Sequence, residues 1–181
     1  MINARAETVA TSRAYAQPFE RRRCLVPADG WYEWLKPPAA AGGAKSGRRS
    51  GPKQPYFMTR RDGGPLAFAG VWSVWGAGDG RLLTCSVITV AAVGELALVH
   101  DRMPLALPPE RWPGWLGDGG SGDDPAALLA VPPADFLAGI ELRAVGAAVG
   151  DVRNDGPDLI RAVPAPPLPA STMETEIATL F

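Results

Sequence analysis

Apolar residues in the first half of the chain fall in short runs broken by glycine, proline and Asp-Gly pairs, a pattern of strands rather than of long helices. Asn3–Thr8 alternates like a strand, and Thr8–Ala16 reads as a short helix stopped by Pro18. Cys24–Ala28 reads as a buried strand, Asp29-Gly30 as a turn and Trp31–Leu35 as a second strand. Alternation puts Trp31, Glu33 and Leu35 on one face of that strand and Tyr32 and Trp34 on the other. Tyr56–Arg60 and Leu66–Trp75 are predicted strands joined by a hairpin turn at Asp62-Gly63-Gly64. Gly70 inside the second run predicts a bulge or a close backbone approach. Leu82–Val90 is a further strand. Antiparallel strands meeting in sequence order imply a curved sheet or small barrel.

The pattern changes after Val90. Ala91–Leu98 predicts a short helix, and Pro104 places His100–Met103 at its end or in the turn beyond. Pro108–Leu116, Asp124–Val131 and Pro133–Ala138 read as short helices, Ile140–Val149 as a last strand and Asp151–Pro157 as a polar turn. The expected class is α+β, β-rich, with a curved, barrel-like antiparallel sheet and short peripheral helices. One domain over residues 1–163 is expected, with a flexible basic insertion at 37–55, a glycine-rich loop at 117–122 and a Pro-rich tail at 164–181.

Composition narrows the chemistry. The 21 glycines and 19 prolines agree with many loops and few long helices. A net charge of −1 exerts no global pull on nucleic acid, so any such binding needs a local patch. Arg21–Arg23 is either a solvated face or an anion-binding edge. Cys24 and Cys85 sit in apolar runs and read as buried free thiols of a reducing, cytoplasmic protein. With a single histidine they make a poor zinc set, and neither a metal nor a cofactor is expected. No apolar run reaches the roughly 20 residues of a membrane span.

Two residues stand out chemically. His100, the sole histidine, can move protons near neutral pH, or it can serve structurally by bonding a carbonyl. Glu33 lies between two large apolar neighbours on its face. Burial there raises a carboxyl pKa toward the range a general acid or base needs, whereas an edge position lets it reach water.

The runs Asn3–Thr8, Arg23–Trp34, Phe68–Trp72, His100–Pro104 and Val152–Asp155, in that order, resemble the SOS response-associated peptidase family, which includes abasic-site processing proteins. The resemblance implies binding to single-stranded DNA at abasic sites and covalent attachment through an N-terminal cysteine. Its amine forms a Schiff base with the opened sugar and its thiol closes a thiazolidine. The resemblance further implies a catalytic set of Asn3, Glu33 and His100, DNA contacts from Asn3, Arg5 and Arg102, and support from Thr89. Asn3 would contact the sugar, Arg5 a neighbouring phosphate, and Glu33 and His100 the protons of ring opening and imine chemistry. The sequence departs from the pattern at position 2, which is Ile2. The expectation is a start placed downstream of the true one or a truncated gene, leaving the acid/base shell without its nucleophile. A DNA-binding remnant is the alternative, and a true peptide hydrolase ranks last, since one histidine and internal thiols offer little for it. A monomer located in the cytoplasm, on the nucleoid when bound to DNA, is expected.

Overall fold

The computed structural model describes residues 2–35, 53–117, 124–165 and 168. Among the described residues, eight strands form two sheets. The first contains β1 (Asn3–Arg5), β2 (Arg23–Ala28), β5 (Leu66–Trp75), β6 (Leu82–Ala91) and β7 (Arg102–Pro104). Its order is β1-β6-β5-β2, with β7 also on β6. The second contains β3 (Gly30–Leu35), β4 (Gln54–Arg60) and β8 (Ile140–Ala144), in the order β3-β4-β8. Five short helices surround them: α1 (Ala6–Val9), α2 (Ala16–Arg21), α3 (Leu96–Val99), α4 (Trp112–Leu116) and α5 (Ala134–Ala138). The α+β, β-rich expectation stands, but the described strands make two sheets rather than one closed barrel.

The chain changes sheet where local pattern shows only a turn. At Asp29 it leaves β2 for β3, and at Asp62–Gly64 it leaves β4 for β5. The second turn is therefore not a hairpin: β4 pairs with β3 and β8, whereas β5 pairs with β2 and β6. Asp62 shapes the turn by accepting the Gly64 N–H at 2.9 Å and pairing with Arg60. A turn of that chemistry serves a sheet crossing as well as a hairpin. The one parallel pair, β1 on β6, matches Asn3 with Val87 and Arg5 with Thr89.

Other expectations shift for equally local reasons. The predicted helix at Thr8–Ala16 splits into α1 before it and α2 after it. Pro18 lies in the first turn of α2, where no intrahelical N–H is required, so it does not stop a helix. The helix predicted over Ala91–Leu98 shrinks to α3, because β6 runs to Ala91 and Gly94 adopts φ +56°, a left-handed conformation that suits glycine. Arg102–Pro104 is strand rather than turn. Asp124–Val131 holds only a 3-10 turn at Ala127–Leu129, and the last strand ends at Ala144. Gly70 makes a close approach without a bulge: the ladder runs through it unbroken, and a Cβ there would lie 3.0 Å from Val26 and 3.1 Å from the Cys24 sulfur. Gln54 and Pro55 belong to β4, and the rest of the predicted insertion lies outside the described residues, Lys53 excepted. So do 118–122 of the glycine-rich loop and most of the predicted tail, although Leu168 packs on the core.

The main core lies between the sheets. Ala69, Val71, Ile88 and Val90 from the first meet Tyr56, Met58 and Ile140 from the second, with Val9, Phe19 and Trp115 closing one side. Trp115 is fully buried, donates its indole N–H to the Cys24 carbonyl at 2.9 Å and packs on Phe19. Arg23 turns inward beside it, bonding the carbonyls of Trp115, Phe19 and Glu20. Of the arginine triplet it is thus neither a solvated residue nor an anion edge. Leu66, Phe68 and Ala106 form a second, smaller cluster. Cys24 is half-buried, but Cys85 is exposed, against expectation. It lies where the β5–β6 ribbon runs past the ends of β1 and β2, and Trp75, Leu82 and Leu83 are exposed there too. Among the described residues no helix is long and apolar enough to cross a membrane.

Candidate functional site

An open pocket of about 450 Å3 lies where β1, β3 and β7 meet the end of α3. Asn3, Arg5, Glu33, Thr89, His100 and Arg102 all line it. These are the six residues singled out in the sequence, and five elements bring them there from positions nearly a hundred residues apart. Pairing of β1 with β6 puts Asn3 and Arg5 beside Val87 and Thr89. Glu33 enters from the other sheet on β3. His100 is the residue at which α3 ends, with extended backbone that turns the chain into β7.

His100 Nδ1 lies 3.0 Å from the Arg102 backbone nitrogen, whose N–H donates to it when the proton resides on Nε2. His100 Nδ1 is also 3.1 Å from the Arg102 carbonyl, which accepts from it when it carries a proton, and 3.1 Å from an Asp101 carboxylate oxygen, within ion-pair range. Either protonation state therefore finds a partner, as a proton-transfer group requires. Glu33 is half-buried. Burial pushes its carboxyl above the usual range and Asp101 adds to this, while nearby His100 pulls it back. A carboxyl and an imidazole sharing a wet cleft can divide acid and base roles.

The two arginines differ. Arg5 is exposed, and no hydrogen bond holds its guanidinium among the described residues. Arg102 is engaged. Its Nη1 and Nη2 donate to the two carboxylate oxygens of Glu7 at 2.6 and 3.0 Å, and Nη2 also reaches the carbonyl and, at 3.2 Å, the hydroxyl of Thr89. Glu7 is held below the usual carboxylate range chiefly by that bond. Thr89 completes the clasp with a long hydrogen bond, 3.4 Å, to the Ala4 carbonyl. Sequence reasoning missed Glu7. It is adjacent to a recognised motif, but its partner is 95 positions away, and charge pattern alone carries no such pairing.

The pocket's apolar walls were partly legible. Trp31 shares the Glu33 face as alternation predicts, and its ring meets Phe68 edge-on at 5.8 Å. Its indole N–H is buried without a partner. Tyr32, assigned to the opposite face, also borders the pocket while packing on Phe57. A separate groove of about 510 Å3 beside α5 is lined mainly by Val93, Leu96, Leu137, Ile140 and Leu142 and holds none of the six residues.

Fold and pocket thus define a β-rich α+β domain with a half-buried carboxyl, an imidazole and an exposed arginine around one open cleft. The chain belongs to the SOS response associated peptidase (SRAP) family, whose sequence pattern it matches over residues 1–152. It is 34% identical over 166 residues to the abasic site processing protein YedK of Escherichia coli, covering 90% of this chain and 68% of that one. It is 32% identical to the abasic site processing protein YoqW of Bacillus subtilis, with coverage of 90% and 67%. A solved structure from Bacteroides thetaiotaomicron superposes with a TM-score of 0.69 at 24% identity, over 89% of this chain and 65% of that one, and supports the fold alone. The chain therefore spans about two thirds of the length of these relatives.

Proposed function

We propose that this chain acts on abasic sites in single-stranded DNA, the pocket receiving the unstacked deoxyribose. The observation that carries the reading is the convergence of Asn3, Arg5, Glu33 and His100 on one cleft. Arg5 supplies an unpaired guanidinium for a phosphate beside the lesion, where a planar fork fits the tetrahedral oxygens. Asn3 offers an amide to the sugar hydroxyls. Glu33, with its raised carboxyl, and His100 exchange the protons that ring opening to the aldehyde requires: one leaves the anomeric hydroxyl and one arrives on the ring oxygen. In the family form an N-terminal cysteine then captures that aldehyde.

A second reading, a binding remnant without the covalent step, is favoured by one observation. Neither Cys24 nor Cys85 lines the pocket. Both readings share the binding step. The test is fluorescence polarisation with labelled single strands, intact or bearing one abasic site, followed by denaturing gels with and without borohydride. Tighter binding of the abasic strand is expected, with no linkage that survives the gel without reductant. Equal binding of both strands overturns the lesion reading, and a stable crosslink without reductant overturns the remnant reading.

A further inference from the structure

The Glu7–Arg102 pair poses a problem for any anion entering the pocket. Arg102 lines that pocket, yet its fork is already occupied by a carboxylate, with both oxygens engaged. A carboxylate presents two oxygens to a guanidinium much as a phosphate does. The pair is also reachable from solvent, since the Glu7 side chain is 54% exposed and that of Arg102 21%. What holds Arg102 otherwise is Thr89, through carbonyl and hydroxyl, and that hold does not depend on Glu7.

We propose that Glu7 is a resident anion of the nucleic-acid cleft, a phosphate stand-in that fills the fork of Arg102 in the free protein and competes with the DNA backbone for it. Glu7 then sets both strength and salt dependence of binding. With the pair closed, Arg5 is the unpaired cation among the six pocket residues and the local field is modest. When a phosphate arrives it displaces Glu7 from a guanidinium that Thr89 already orients, so little side-chain ordering remains to oppose the exchange. The net gain from a phosphate at Arg102 is thereby reduced for every strand, so firm binding needs Arg5 and the sugar pocket engaged as well. The inference rests on the nucleic-acid reading above and names a competitor within its site.

The test is a polarisation titration of a labelled single strand over a series of salt concentrations, with the 181-residue chain and its E7Q, R102Q and E7Q/R102Q variants. The E7Q change keeps the shape of the side chain and removes its charge. Binding by E7Q should tighten about tenfold at low salt, the size of one ionic contact at about 1.4 kcal/mol per decade. Its log–log salt slope should steepen by roughly 0.7, one further phosphate on a single strand. In the R102Q background the gain should shrink to about twofold to threefold, the part due to the charge of Glu7 near Arg5 and the strand rather than to its hold on the Arg102 fork. Unchanged or weaker binding by E7Q, or an undiminished gain without Arg102, overturns the proposal. Melting temperatures accompany each variant. Should E7Q not fold, E7D retains the charge on a shorter arm that cannot reach both Arg102 nitrogens, and a gain of about threefold is expected; no gain overturns the proposal equally. Absence of any binding by the unaltered chain would instead sink the function itself, which separates the two failures.

Discussion

Arg5 and Arg102 carry the same charge into the same pocket, and their different anchoring predicts that removing each does a different thing. Arg5 is exposed and unbonded, so Arg5→Gln should leave stability within about 0.5 kcal/mol of the starting chain. Its loss should appear in DNA binding. One charge-assisted phosphate contact is worth about 1.5–3 kcal/mol, and exposure argues for the lower end, a loss of about tenfold. The salt slope should fall by roughly 0.7, so that between about 50 and 200 mM salt the affinity changes about 2.6-fold less than before. Arg102→Gln should cost stability as well as binding. It removes the donor to the carbonyl and hydroxyl of Thr89 and leaves Glu7 without its partner, loosening the tie of α1 to β6 and β7. The ion pair itself is discounted because Glu7 faces water. The lost hydrogen bonds bring the cost to about 1–2 kcal/mol, or roughly 2–8 °C in Tm for a chain of this size. Differential scanning fluorimetry and salt-resolved polarisation measure the two effects separately. A large Tm drop in R5Q with an unaltered salt slope would refute the division of roles.

Three further outcomes follow from the geometry. Glu33→Gln should abolish any proton-dependent step while making the protein relatively more stable as pH rises. A carboxyl whose folded pKa lies above its usual 4.5 loses stability from about that pH upward through the folded pKa, and glutamine does not, so the Tm difference should grow from about pH 4 to pH 7. A difference that shrinks would contradict the burial argument. Trp115→Ala should cost about 3–5 kcal/mol in urea unfolding, since the ring is fully buried and bonded to the Cys24 carbonyl, whereas Trp75→Ala, 68% exposed, should cost under about 0.5. Cys85 should react with a thiol reagent well before Cys24, whose thiol is pushed up by burial, and equal rates would argue against the exposed ribbon.

How much of this was legible in the sequence depends on how local the cause is. Period-two alternation located nearly every strand, because a strand's faces are set by its own residues. It also placed Trp31 on the face of Glu33, and both line the pocket. Partner choice was not legible. Nothing in Asp62-Gly63-Gly64 says whether the next strand folds back on β4 or crosses to another sheet, since both need the same turn. Arg23 likewise looks like its two neighbours until Trp115, 92 positions away, supplies the carbonyl it bonds. Glu33 and His100 stood out by position and chemistry, the other four site residues came only through ordered motifs, and Glu7 was missed because it fell inside a motif without an assigned role.

The sheet crossings that sequence could not show are what assemble the pocket. Asn3, Arg5 and Thr89 belong to one sheet and Glu33 to the other, so a chain that paired its strands in sequence order would have no reason to bring Glu33 against β1. The crossing at Asp29 turns β3 away from β2 and delivers Glu33 to the end of α3, where His100 stands. Closing the other side falls to the Arg102 clasp, which ties α1 to β6 and β7 through Glu7 and Thr89. The same ion pair therefore shapes the cleft and occupies its second cation. Stability at that point is obtained by neutralising a charge the cleft would otherwise offer to DNA. If a phosphate must displace Glu7, the same free energy is subtracted from every strand that enters, so any discrimination between two strands rests on the other pocket residues, since it is a difference between two affinities and not the size of either.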